Sequence, residues 1–154
     1  YKRFTPAGPD HAQVAASAGM ADYIDALCDH HAGPSEDAAA RAGFVHDLMR
    51  AHEAKLLQPL VDALKGRNDL RLLGPTQAEN RAPTVAVAVN RPGVEVAKDL
   101  AAHGTMAGGG DFFSGLAPEA MGVDAQTGVL RMSFTHYTTE NEVTRLIEAL
   151  DRVL

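Results

Sequence analysis

The sequence predicts an α+β fold, a helical arm of two helices followed by a small, mainly antiparallel sheet with helices packed on one side. Three observations carry the prediction. Apolar residues recur at helical spacing over residues 11–64, the run Thr84 to Val89 alternates in the manner of a strand, and the chain closes with an amphipathic helix.

Residues 1–10 contain Pro6, Gly8 and Pro9 and read as an irregular leading segment. From about His11 to His31, the positions Val14, Ala18, Ala21, Ile24, Leu27 and Cys28 form a helical stripe, ended by Gly33-Pro34. Ser35 stands where an N-cap belongs, with Glu36 and Asp37 placed in the first turn of a second helix that reaches about Leu64. Its expected buried stripe is Phe44, Leu48, Leu56, Leu60 and Leu64. Pro59 predicts a kink or break, and Gly66 a stop.

Beyond this arm, Leu70 to Leu73 is a short strand closed by Gly74-Pro75. Thr84 to Val89 (TVAVAV) is the clearest strand in the chain. Asn90 to Gly93 reads as a turn, and Val94 to His103 as a short amphipathic helix. Gly108-Gly109-Gly110 reads as a flexible turn that lets a loop approach a ligand. Gly128 to Thr135 is the next strand. The closing helix, from about Glu140 to Leu154, turns Val143, Leu146, Ile147, Leu150 and Val153 to one side, and Thr139 with Glu142 matches a capping box. From Thr84 onward the order is strand, helix, short strand, loop, strand, helix.

Composition narrows the function. A formal charge of −6 disfavours non-specific binding to nucleic acid or to anionic membranes, both of which need a basic surface. No apolar run approaches the ~20 residues of a membrane span. Cys28 stands alone, so no internal disulfide marks an oxidising compartment, and a cytoplasmic location is the expectation. The chain opens on Tyr1-Lys2-Arg3-Phe4, which suggests a piece of something longer.

Other candidate sites read as structural. The glycine run lacks the Gly-Lys-Ser/Thr ending of a phosphate loop. His30-His31 point apart on a helix, and His46 and His52 lack the four-residue spacing of a helical zinc pair, so a solvated surface is expected and no metal. Arg50 and Glu53 read as part of an exposed helix face. His136 stands either near an active-site mouth or in a structural role at a strand end.

The C-terminal segment Gly128-Val129-Leu130-Arg131-Met132-Ser133-Phe134, then His136-Tyr137-Thr138-Thr139-Glu140-Asn141-Glu142-Val143, resembles the ending of class V aminotransferases and cysteine desulfurases. There, an arginine strand runs into a Tyr-x-Thr cap and a last helix. Arg81-Ala82-Pro83-Thr84-Val85 is similar to the approach to the family's first small-domain strand. Lys2 to His11 looks like its segment leading into the helix that joins the large and small domains.

The resemblance implies a pyridoxal 5'-phosphate enzyme acting on an amino acid, homodimeric when complete, by lyase or aminotransferase chemistry. Residues 1–33 would connect from a large domain and residues 34–154 would be the small domain. Arg131 matches the arginine whose planar fork takes the substrate α-carboxylate. Gly8 stands where the family places a contact to the cofactor phosphate of the neighbouring subunit. Gly110, Asp111 and Phe112 fall in the active-site loop, which here, from Gly108 to Leu116, contains no persulfide-forming cysteine. None of Lys2, Lys55, Lys65 or Lys98 sits in a Schiff-base motif, so the chain by itself is expected to be inactive, with no covalently bound cofactor and no catalytic residue of its own. The alternatives are a non-catalytic binding or interaction domain of the same fold and, from a different class, an unrelated α+β module that binds a small ligand.

Overall fold

The computed structural model describes residues 10–34, 37–112, 116–124 and 126–154. Its elements are α1 (His11–His31), α2 (Ala38–Lys65), β1 (Leu70–Leu73), a 3-10 turn (Ala78–Asn80), β2 (Thr84–Val89), α3 (Gly93–Ala102), β3 (Gly108–Gly110), α4 (Leu116–Ala120), β4 (Val129–Ser133) and α5 (Glu140–Val153). The α+β class is as the sequence predicts. The chain divides into two compact units, Tyr1–Met49 and Arg50–Leu154.

In the first unit, Asp10 caps α1 by accepting from the backbone N–H groups of Ala12 and Gln13. The expected α1 stripe is mostly not buried: Cys28 is, but Val14 is 62% exposed. Helical spacing identified the helix and not the depth of its face. Asp37 accepts from Ala39 and Ala40 and so caps α2, rather than lying in its first turn. Ser35 and Glu36, expected at this cap, lie outside the described residues. Arg41 forms ion pairs with Asp25 at 2.8 Å and Asp29 at 3.3 Å. Val45, not Phe44, is the buried residue of this stretch.

The second unit is a four-stranded sheet in the order β1-β2-β4-β3, antiparallel throughout. Strand alternation sends Leu70, Val85, Val87, Val89, Leu130 and Met132 to one face. They pack there with Leu56, Leu57, Leu60, Val61 and Leu64 of α2, Val96 and Leu100 of α3, and Val143, Leu146 and Leu150 of α5. Each fully buried leucine or valine contributes about 1.5–3 kcal/mol. Of the kink or break expected at Pro59, the break does not occur; α2 continues through it. A proline inside a helix costs about 3 kcal/mol, which the burial of Leu56, Leu57, Leu60 and Val61 around it offsets.

The glycine run also departs from expectation. It is not a flexible turn but the edge strand β3, paired with β4. A Cβ on Gly109 would lie 2.2 Å from the backbone of Gly93 and Val94, so only glycine lets the start of α3 come this close. The closing helix carries the expected capping box between Thr139 and Glu142.

Two polar groups expected on a solvated surface are anchored instead. Glu53 is 15% exposed in its ion pair with Arg50, which also donates to the Glu79 carbonyl at 3.0 Å. The Nε2 of His52 lies 3.0 Å from the Thr138 carbonyl, joining α2 to the turn before α5.

Candidate carboxylate-binding site

The sheet's other face carries Arg131, the candidate site residue. Val129, Arg131 and Ser133 alternate with the buried Leu130 and Met132, so strand geometry turns them away from the helical core. A second, smaller cluster of Leu73, Val123 and Val129 covers part of this face, with Ala86, Ala88 and Phe112 against it. Arg71 donates to the Met121 carbonyl at 2.7 Å, holding the turn after α4 over the same face.

Between these groups lies a cleft of about 330 Å3 lined by Leu73, Gly74, Ala86, Asp111, Phe112, Ala117, Pro118, Met121, Val129 and Arg131. Its wall is largely aliphatic. Arg131 is exposed, and its guanidinium meets no carboxylate or carbonyl acceptor among the described residues. The recorded contact of that group is with a ring: Arg131 Cζ lies 3.8 Å from the centroid of Phe112. Stacking occupies one flat face of the fork and leaves its edge donors in the plane, open to a hydrogen-bond acceptor.

The register explains why the fork has room. Ala86 of β2 stands opposite Arg131 on one side and Gly108 of β3 opposite it on the other. Directly opposed residues are each other's nearest lateral neighbours, so Arg131 is flanked by the smallest residues.

Of the sequence-predicted site residues, Arg131, Asp111 and Phe112 meet at this cleft, while Gly110 ends β3 with a φ of 131°. Gly8 lies outside the described residues, as do Phe113 and Ser114. Lys55 pairs with Glu140 at 2.5 Å and Lys65 with Asp62 at 2.6 Å, and neither lines the cleft. His136 packs edge-on against Tyr137, at 5.3 Å between ring centroids, in a separate depression with His52. Among the described residues no group of His, Cys, Asp or Glu side chains is placed to hold a metal ion, and no helix is long and apolar enough to cross a membrane. Sequence reasoning named Arg81 only within the approach to β2 and missed its role: it donates to the carbonyls of Leu73, at 2.6 Å, and Pro75, fixing the end of β1 at the cleft rim. The signal available was an arginine ahead of a strand and beside a Gly-Pro turn.

Fold and site together define a small α+β domain with an arginine cleft on the open face of its sheet. The aminotransferase class-V family model matches residues 40–146, and the chain belongs to that family. It is 31% identical over 113 residues to the aminotransferase-like protein FGM3 of Gibberella zeae, covering 70% of this chain and 28% of that protein. Similar solved structures are the cysteine desulfurase CsdA of Escherichia coli (TM-score 0.58, 23% identity, 80% of this chain, 32% of that one) and a NifS-like protein of Rickettsia africae (TM-score 0.58, 19% identity, 75% and 31%). At these identities the structures establish the fold. The chain spans less than a third of the length of each of these relatives.

Proposed function

We infer that this chain supplies the carboxylate-binding part of a pyridoxal-phosphate-dependent, amino-acid-transforming enzyme, with Arg131 as the residue that takes the substrate α-carboxylate. The observation that carries the reading is an exposed guanidinium with no acid partner among the described residues, set in a cleft whose other walls are mostly aliphatic. An arginine left in this state gains a charge-assisted, two-point contact when an organic acid docks. The family is a family of cofactor-dependent enzymes, and the bound cofactor would supply the electron sink for chemistry at the substrate α-carbon.

Among its described residues, the cleft has one cationic side chain and no lysine, so it fits the substrate's acid group and offers no seat for the cofactor itself. What Arg131 contributes is therefore orientation. Two in-plane contacts from a rigid fork fix the rotation of the substrate about its α-carbon, which selects the bond that reacts elsewhere in the site. The aliphatic wall keeps water from competing for the same donors. Under this reading residues 1–33 connect from a large domain, and the complete enzyme is a homodimer in the cytoplasm.

The test is Arg131→Ala in the complete protein. Amino-acid affinity should fall by at least about tenfold, that is about 1.4 kcal/mol, while the visible absorption of bound cofactor stays as in the wild type. Unchanged KM and kcat would remove Arg131 from the site.

A further inference from the structure

We propose that Phe112 is a positioning residue that holds the Arg131 fork edge-on to the incoming acid, so that its identity sets the affinity for the carboxylate. The inference rests on the carboxylate reading of Arg131 and goes beyond it by assigning a role to the residue behind the fork.

Three independent features converge on the ring. The first is the stack itself, 3.8 Å from guanidinium carbon to ring centroid. An arginine side chain on an open strand face has several rotors free, and a ring against one flat side removes most of that freedom before the ligand arrives. The second is the backbone. Phe112 has a φ of 54°, a left-handed conformation that large side chains avoid and glycine or asparagine ordinarily fills. A bulky residue kept in such a conformation marks a side chain that must be aimed at a particular place. The third is the space cleared for it. A Cβ on Gly108 would lie 2.8 Å from two ring carbons of Phe112, so the ring occupies the volume that a side chain at 108 would need. Gly108 is also the residue opposite Arg131 in the β3–β4 ladder. The ring therefore sits in the lateral slot next to the arginine, in place of a strand neighbour.

The arrangement is chemically complete. The ring's negative face attracts the delocalised cation without consuming any N–H donor. The donors stay in the fork plane for the two oxygens of an acid, and the aliphatic wall beneath accepts the body of the ligand.

The experiment uses the complete protein labelled with nitrogen-15 at arginine, with butyrate as the probe acid. In the wild type the Arg131 Nε–H resonance should be displaced upfield by the ring, and that displacement should persist in F112Y and vanish in F112L. Butyrate affinity should fall about two- to fivefold in F112L, the scale of an exposed cation–ring contact, and return in F112Y. G108A, which pushes the ring aside while leaving Phe112 and Arg131 unsubstituted, should behave as F112L does and covers the case in which F112L does not fold. Wild-type affinity in F112L and G108A, with binding abolished in R131K, would overturn the role of Phe112 and leave the carboxylate reading intact. Wild-type affinity in R131K would overturn both.

Discussion

Arg131 and Ala86 stand directly across from each other in the β2–β4 ladder, a long cationic side chain on the open sheet face beside one of the smallest. The gap this leaves is part of the cleft. Ala86→Leu should fill it, lowering amino-acid affinity in the complete protein at least about tenfold, about 1.4 kcal/mol. Because residue 86 is only half-buried and lines the cleft, thermal unfolding should stay within a few degrees of the wild type. Calorimetric titration beside a melting curve checks both, and unchanged affinity would show that the ligand does not enter at this position.

Gly109 makes the opposite kind of prediction. A Cβ there would stand 2.2 Å from backbone atoms of Gly93, which no side-chain rotation can relieve. Gly109→Ala should cost about 2 kcal/mol or more by prising α3 from the sheet edge. Urea unfolding measures it, and a loss below about 0.5 kcal/mol would mean that the two backbones separate freely.

The closing helix should show its cap as a pH effect. Backbone and hydroxyl hydrogen bonds from Thr139 hold the Glu142 carboxyl below its ordinary value of 4.5. A lowered folded pKa stabilises the fold fully above the unfolded value, and the contribution disappears as pH falls through the folded value. The stability difference between wild type and Glu142→Gln should therefore be constant above about pH 5.5 and shrink toward zero below about pH 4. Subtracting the variant cancels the Lys55–Glu140 pair, whose carboxyl is also lowered and titrates in the same window. A difference independent of pH would refute the charged cap.

Arg81 satisfies two carbonyls of one turn, those of Leu73 and Pro75, from a single planar group. Lysine keeps the charge and not the fork. Arg81→Lys should leave one of these acceptors short of a donor and destabilise the fold by about 1–2 kcal/mol, read from the urea midpoint. Wild-type stability in that variant would show that the turn is held by other means.

The legible parts of this molecule were those encoded in local pattern. The bounds of β1 and β2, the extent of α1 and the Thr139–Glu142 box all follow from residues close in sequence. Arg131 was legible through the motif around it. Gly108 to Gly110 was not, because three residues without side chains carry no alternation; their strand character comes from pairing with β4, which is a tertiary fact. Likewise His52 looked solvated until the chain brought Thr138 to it from 86 residues away. The Phe112 stack depends on strand register and on one left-handed backbone angle, and neither is written in the spacing of residue types.

The most direct measurement is a crystal structure of the complete protein with a bound amino acid. The account predicts the α-carboxylate in the plane of the Arg131 fork, with two near-parallel N–H···O contacts of about 2.7–2.9 Å and the Phe112 ring still stacked behind. An acid group bound elsewhere, with the Arg131 donors facing only solvent, would contradict it.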